Sequence, residues 1–189
     1  MILVLFLALV SFASIVIYSL RFGITPMPSS KKAQDAMILL LPLTIEKGVI
    51  YELGSGWGGL AFRLAKEHPK AKVIAIELSP IPYLFSRARQ LLDKRANLII
   101  LRKSFYDQNL SDAKAVLCYL FPGAMRKLSL KLKQELPNQC TIISNTFSLI
   151  NWENTSVIFL DDLSATPIYK YTNNDRLCPK VVAKRVDFF

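Results

Sequence analysis

The sequence has 189 residues, of which 52% are hydrophobic, and a formal net charge of +10. This composition excludes a purely disordered chain, and the single long apolar run excludes a membrane protein with several spans. Without that run, roughly 160 residues remain, which is enough for one domain with a full core and hardly enough for two. Four of the seven glycines lie within six positions, between Gly54 and Gly59.

The apolar run opens the chain. Ile2–Leu20 contains 19 residues and no charged side chain, and as a helix it would be about 28 Å long, close to the thickness of the bilayer core. We expect a single-pass membrane anchor; the alternatives are a cleaved signal peptide and a buried helix. The first cations, Arg21, Lys31 and Lys32, follow the run, which predicts that the domain lies on the cytoplasmic side.

Short buried strands then alternate with amphipathic helices. Ser29 or Ser30 is expected to cap the first helix, and Pro80 to open the third. The predicted helices are 31–41, 60–68, 80–94 and 123–136. The predicted strands are 48–53, 72–78, 97–101, 115–121, 140–147, 155–161 and 166–172, with the last two as an antiparallel pair. This alternation favours an α/β fold with a mostly parallel sheet and helices on both faces.

The expected organisation is an anchor over 1–21, a linker over 22–30, one domain over 31–175 and a basic tail over 176–189. In the helix over 80–94 the apolar stripe is formed by Leu84, Ala88, Leu91 and Leu92. Since a stripe with this spacing usually faces the core, we expect it to pack on the sheet. The helix over 123–136 should turn its leucines inward and its cations outward.

The glycines follow the first predicted strand, in the segment Y-E-L-G-S-G-W-G over 51–58. In an open α/β sheet, ligands bind beyond the carboxyl ends of the strands, beside the first strand. Gly54 and Gly56 allow a positive φ and a close approach of the backbone to a ligand. The next strand ends in Glu77, a carboxylate that can accept two hydrogen bonds from the hydroxyls of a ribose.

Two ligand classes fit a strand, a glycine turn and a later acid: dinucleotides and S-adenosyl-L-methionine. A dinucleotide site has the spacing G-x-G-x-x-G, whereas the spacing here is G-x-G-x-G-G with Glu52 two residues ahead. A carboxylate at that position repels a pyrophosphate and suits a ligand that carries an ammonium and a sulfonium group. The spacing therefore favours S-adenosyl-L-methionine.

The segment resembles motif I of the class I S-adenosylmethionine-dependent methyltransferases, and Glu77 matches the acid after their second strand. This resemblance, over roughly 30–172, implies a Rossmann-like seven-stranded sheet. The segments P-S-S-K-K, E-L-S-P, R-K-S-F-Y, Y-L-F-P-G-A-M and S-N-T-F further resemble the small membrane-anchored protein-lysine methyltransferases. Members of that group methylate lysines of the ATP synthase c subunit and of the adenine nucleotide translocator.

The resemblance implies roles for individual residues. The residues implied to surround the methionine part of the cofactor are Glu52, Gly54, Ser55, Gly56 and Gly58. Glu77 would hold the ribose, with Leu78, Ser104 and Phe105 near the adenine. Many relatives have an acid where this chain has Ser104, and Asp107 is the nearby substitute. The substrate side would follow the fourth strand, where Tyr119, Phe121 and Pro122 would align the acceptor.

We therefore expect a methyltransferase that acts on a lysine of a membrane-associated protein. The alternatives are a methyltransferase for a small-molecule or lipid-like acceptor and a catalytically silent binding module. No metal is expected, because Cys118, Cys140, Cys178 and His68 lack the spacing of metal ligands; the cysteines are expected to be reduced core thiols. Nucleic acid is not expected as a partner, since no binding motif accompanies the positive charge.

Overall fold

In the computed structural model, the described part of the chain consists of residue 5, residues 28–42, residue 45, residues 47–174 and the backbone of 182–186. Its helices are α1 (Lys31–Leu39), α2 (Gly59–Glu67), α3 (Pro80–Leu92) and α4 (Pro122–Glu135). Its strands are β1 (Val49–Leu53), β2 (Lys72–Ile76), β3 (Leu98–Leu101), β4 (Ala113–Cys118), β5 (Thr141–Asn145), β6 (Ser156–Leu160), β7 (Pro167–Thr172) and β8 (Val182–Val186). The seven predicted strands and four predicted helices are confirmed, with ends that shift by a few residues.

The strands form one sheet in the order β3-β2-β1-β4-β5-β7-β6-β8. The pairs that β1 forms with β2 and β4 are parallel, as are the β2–β3 and β4–β5 pairs. β7 runs antiparallel to both β5 and β6, which confirms the predicted antiparallel pair. The strand order reverses beside β1, so the carboxyl ends of β1, β2 and β4 meet at one edge of the sheet.

Helices cover both faces of the sheet, as predicted. On one face, residues of α1 and α2 such as Met37 and Leu64 pack on Ile50 and Val73. On the other face, Leu128 and Leu132 of α4 pack on strand residues that include Val116. Ser30 caps α1, because its side chain accepts a hydrogen bond from the N–H of Ala33 at 3.1 Å.

The prediction for the apolar stripe of α3 is wrong. Leu84, Leu91 and Leu92 are 58%, 72% and 91% exposed, whereas Pro82 and Ser86 are the buried residues of this helix. The spacing of the leucines is helical, as expected, but it does not specify which way the stripe faces. Here the side of the helix with Ser86 is held against the glycine turn, because the Ser86 hydroxyl donates to the carbonyl of Gly56 at 3.2 Å.

Two further predictions concern the chain ends. The predicted tail contains β8, which the sequence analysis did not anticipate and which pairs in parallel with β6. The predicted anchor over Ile2–Leu20 lies outside the described residues apart from Leu5. Within the described part of the chain, no helix has the length and apolar character that a membrane span requires.

Two leucines, one fully buried and one almost fully exposed, give a direct test of this packing. Leu64 is fully buried in α2 and Leu92 is 91% exposed in α3. We expect Leu64→Ala to lower the free energy of unfolding by about 2–5 kcal/mol, because it leaves a cavity in the core. Leu92→Ala should change it by less than about 0.5 kcal/mol. Equal losses in denaturant unfolding of the two variants would show that α3 packs through its leucines after all.

Candidate active site

A cavity lies at the edge where β1, β2 and β4 end. Its walls come from the segment before α1, from α1 itself, from the glycine turn and from the start of α3. The lining residues are Pro28, Ser29, Gln34, Met37, Glu52, Gly54, Ser55, Gly56, Trp57, Gly59, Leu60, Glu77, Ser79, Phe85, Arg89, Cys118 and Tyr119. The site is thus where the sequence analysis expects it, beyond the carboxyl end of the first strand.

The glycine turn brings backbone atoms to the cavity without side chains in the way. Gly54 has φ +74°, and a Cβ built on it would lie 2.7 Å from the Leu120 side chain. Gly56 has φ +53°, and a Cβ there would meet no atom within 4 Å. A side chain at position 54 therefore clashes with the protein, whereas one at position 56 enters open space where a ligand can approach.

Glu77 closes the turn against β2. Its carboxylate accepts a hydrogen bond from the N–H of Gly56 at 2.7 Å and another from the N–H of Ser79 at 2.7 Å. The residue is only 8% exposed. Each carboxylate oxygen retains a further lone pair, so Glu77 fixes the turn and still has acceptor capacity toward the cavity.

Glu52 is the second buried carboxyl of the site. It is 7% exposed, and its Oε2 atom has no hydrogen-bond partner among the described residues. Burial, followed by the charge of Glu77, raises the pKa of Glu52 to about 8, although a backbone hydrogen bond at Ala61 opposes this shift. A buried acid in this state gains from a positively charged ligand, which offsets both the burial and the repulsion.

At the end of β4 the cavity wall is formed by Cys118 and by one aromatic residue, Tyr119. Tyr119 lines the cavity and stacks on Phe147, with ring centroids 6.5 Å apart and an angle of 15° between the rings. Nearby, the Asn145 amide donates to the Ser29 hydroxyl at 3.2 Å. This contact ties the segment before α1 to the end of β5, beside the aromatic pair.

The structure brings some of the predicted site residues together. The predicted residues that line the cavity are Glu52, Gly54, Ser55, Gly56, Glu77 and Tyr119. Those that do not line it are Gly58, Leu78, Ser104, Phe105, Phe121 and Pro122. Gly58 is the N-cap of α2, and Ser104 caps a 3-10 turn by accepting from the N–H of Tyr106 at 3.2 Å. The binding roles proposed for these residues stay predictions.

Phe105, predicted to stack on the adenine, does not present an open ring face at the cavity. Phe105 is 7% exposed and packs against Tyr106 at a centroid distance of 4.3 Å. Asp107, the suggested substitute for the acid missing at Ser104, is exposed on the same turn.

Sequence analysis missed much of the cavity wall. The lining residues it did not assign include Gln34 and Met37 from α1 and Phe85 and Arg89 from α3. Gln34 and Met37 are three residues apart and therefore share a helix face. Arg89 also lies over the Phe62 ring at 4.2 Å. Only the tertiary fold brings these helices to the strand ends.

Comparison with known proteins identifies the family. The sequence profile described as the ANTKMT methyltransferase domain matches residues 52–156, more than half of the chain. The chain belongs to this methyltransferase family. Its cofactor is S-adenosyl-L-methionine, as predicted. A protein-lysine N-methyltransferase of Saccharolobus islandicus (strain REY15A) is 23% identical over 143 residues, which cover 71% of this chain and 84% of that protein.

Solved structures share the fold. An RNA methyltransferase from Salinibacter ruber, in complex with S-adenosyl-L-homocysteine, has a TM-score of 0.71 and 24% identity over 82% of this chain and 98% of its own. A precorrin-6y C5,15-methyltransferase from Geobacter metallireducens GS-15 has a TM-score of 0.57 and 14% identity over 76% and 92% of the two chains. At these identities the likeness establishes the Rossmann-like methyltransferase fold.

The cavity residues fit S-adenosyl-L-methionine. The unpartnered Oε2 atom of Glu52 suits the ammonium and sulfonium charges, and the open space beside Gly56 lets the backbone approach a ligand. Glu77, which is buried and lines the cavity, is the carboxylate that would accept hydrogen bonds from the ribose hydroxyls. When bound, the cofactor supplies a methyl group on a positively charged sulfur. Glu52 is the residue that would face that charge.

Replacement of Glu52 by glutamine, its neutral isostere, should stabilise the ligand-free protein at high pH. The pKa of Glu52 is raised in the folded state from about 4.5 to about 8, so its contribution to stability is present below about pH 4.5 and is lost as the pH rises through about 8. We expect Glu52→Gln to increase the free energy of unfolding by on the order of 1–3 kcal/mol at pH 8 and to change it little at pH 4.

The exposed Glu153 provides the matched control. Glu153→Gln should change the free energy of unfolding by less than about 0.5 kcal/mol at both pH values. Denaturant unfolding of the ligand-free proteins measures these differences. A Glu52→Gln variant that is less stable than the parent at pH 8 would contradict the raised pKa.

Proposed function

We propose that the protein transfers a methyl group from S-adenosyl-L-methionine to the side-chain amine of a lysine in a membrane-associated protein. The observation that carries this proposal is the aromatic wall formed by Tyr119 and Phe147, next to the cavity that holds Glu52 and Glu77. The relative from Saccharolobus islandicus, named a protein-lysine N-methyltransferase, supports the same acceptor class.

An aromatic wall suits an amine acceptor for two reasons. A lysine amine must lose its proton before it can attack a methyl carbon, and desolvation lowers the pKa of an amine. Aromatic faces also attract the positive charge that the nitrogen gains as the new C–N bond forms and the C–S bond breaks. The proton that the lysine loses before the attack passes to water, and the products are the methylated ammonium and S-adenosyl-L-homocysteine. Tyr119 and Phe147 therefore position the amine, and the chemistry needs no general base.

We also propose that the chain is held at a membrane by Ile2–Leu20, with the catalytic domain on the cytoplasmic side. The run has no charged residue, and the first cations follow it. Pro28 and Ser29, a short distance further along the chain, line the cavity itself. A membrane anchor at this position would hold the mouth of the cavity near the bilayer, where a membrane-associated substrate lies.

The acceptor is tested by incubation of the purified full-length protein with methyl-labelled cofactor and host membrane fractions, followed by mass spectrometry. We expect label on the Nζ atom of lysine in a membrane protein. Tyr119→Ala should lower the rate of labelling by about tenfold or more, because it removes the aromatic wall. Tyr119→Phe keeps the ring and should retain most of the rate.

Calorimetric titration with S-adenosyl-L-homocysteine provides the control for binding. Both Tyr119 variants should bind it within about twofold of the parent protein, since the residues around its charge are unchanged. Label in lipid, RNA or small metabolites, with none on protein lysine, would exclude the proposed acceptor and leave the methyltransferase assignment intact. Equal rates for the two Tyr119 variants would exclude a role for the aromatic wall.

A further inference from the structure

Helix α3 turns a continuous apolar arc to solvent. We call this surface the α3 arc. Four of its members are 52–91% exposed, and the fifth, Ala88, is also exposed. The residues of the α3 arc are Leu84, Phe85, Ala88, Leu91 and Leu92. Contiguous exposed apolar surfaces of this kind mark interaction sites in soluble domains.

The arc is a regular feature of the helix. Leu84, Ala88 and Leu91 follow the i, i+4, i+7 spacing of one helix face. Phe85 and Leu92 are seven residues apart and lie beside that face, so they widen it. The opposite side of α3 packs on the domain through Pro82 and Ser86. The helix is therefore amphipathic, with its apolar side turned away from the core.

Cations lie along the borders of the arc. Arg87 and Arg89 are at helix positions on either side of it, and Lys94 follows its C-terminal end. Arg87 and Lys94 are exposed. An exposed apolar helix face with flanking cations is the pattern of helices that lie in the interface of a membrane. Near an anionic surface each such cation contributes about 1 kcal/mol of attraction.

The arc lies near the segment that leads to the predicted anchor. Phe85 belongs to the arc and also lines the cavity, together with Pro28 and Ser29. The uncharged run ends at Leu20, and the eight residue steps from there to Pro28 span at most about 28 Å. The arc, the cavity and the end of the run can thus reach the same bilayer surface.

We propose that the α3 arc docks on an anionic lipid bilayer. Its leucines and Phe85 insert at the boundary between headgroups and acyl chains, while Arg87 and Lys94 contact lipid phosphates or carboxylates. This contact fixes the orientation of the domain and turns the mouth of the cavity toward the membrane. The proposal shares the membrane location with the proposed function, but it does not depend on the methyl acceptor.

Lipid contact is measured by the fluorescence of introduced tryptophans in the full-length chain. The protein is reconstituted in phosphatidylcholine vesicles with about one third phosphatidylserine, with or without bromine on the phosphatidylcholine acyl chains. Leu91→Trp places the probe on the arc. Leu130→Trp is the matched control, because Leu130 is 64% exposed on α4, which packs on the opposite face of the sheet.

We expect brominated lipid to quench the emission added by Leu91→Trp by about twofold or more, because the apolar face of an interfacial helix is buried at the boundary of headgroups and acyl chains. The emission added by Leu130→Trp should stay unchanged, because the proposal leaves α4 away from the bilayer. The unsubstituted chain gives the background from Trp57 and Trp152. Arg87→Glu with Lys94→Glu should weaken the quenching at position 91, as should vesicles of phosphatidylcholine alone.

Absence of quenching at position 91 would overturn the proposal. A blue-shifted emission without quenching would instead show that protein covers the arc, either the N-terminal run or a second copy of the chain. Equal quenching at positions 91 and 130, or quenching that the charge reversals leave unchanged, would exclude an oriented anionic contact. No methyl transfer is measured, so this proposal and the proposed function can fail separately.

Discussion

The site depends on two carboxyl groups that are kept almost entirely out of water. Glu52 and Glu77 lie at the ends of adjacent parallel strands, 7% and 8% exposed, and the combination of burial and repulsion raises the pKa of Glu52 to about 8. Such an arrangement is unfavourable in the ligand-free domain. A cationic ligand offsets the burial and the repulsion of the two carboxyl groups. The cofactor therefore binds more tightly because the ligand-free site is destabilised.

Hydrogen bonds from the surrounding elements hold the glycine turn beside these two carboxyl groups. The N–H of Gly56 is held on Glu77 at 2.7 Å, and Ser86 of α3 holds the carbonyl of the same glycine at 3.2 Å. The turn is therefore fixed from both sides at Gly56, while a Cβ at this residue would still meet only open space. Since Ser86 lies on the inward side of α3, the contact that positions the turn also determines that Leu84 and its neighbours face outward.

The strands and the centre of the site were predictable from sequence because their signals are local. A buried β-rich run ends at the glycine turn, and the G-x-G-x-G-G spacing with Glu52 ahead of it separates this ligand class from dinucleotides. The orientation of α3 was not predictable, because helical spacing defines an apolar stripe but not whether that stripe packs on the sheet or faces solvent. The cavity walls from Met37 and Phe85 depend on the same long-range packing. β8 follows a segment without a strong strand pattern, and only its pairing with β6 defines it.

The central claim is that Glu52 is protonated in the ligand-free protein and ionised against a bound cation. It is tested by calorimetric titration of the full-length protein with S-adenosyl-L-methionine, which carries both the ammonium and the sulfonium charge, at pH 7 in two buffers that differ in ionisation enthalpy. The account predicts a net release of protons on binding by the parent protein, since burial and the charge of Glu77 keep Glu52 largely protonated at this pH. Glu52→Gln should bind more weakly with release near zero. Binding by the parent protein without proton release, or equal release by Glu52→Gln, would contradict the account.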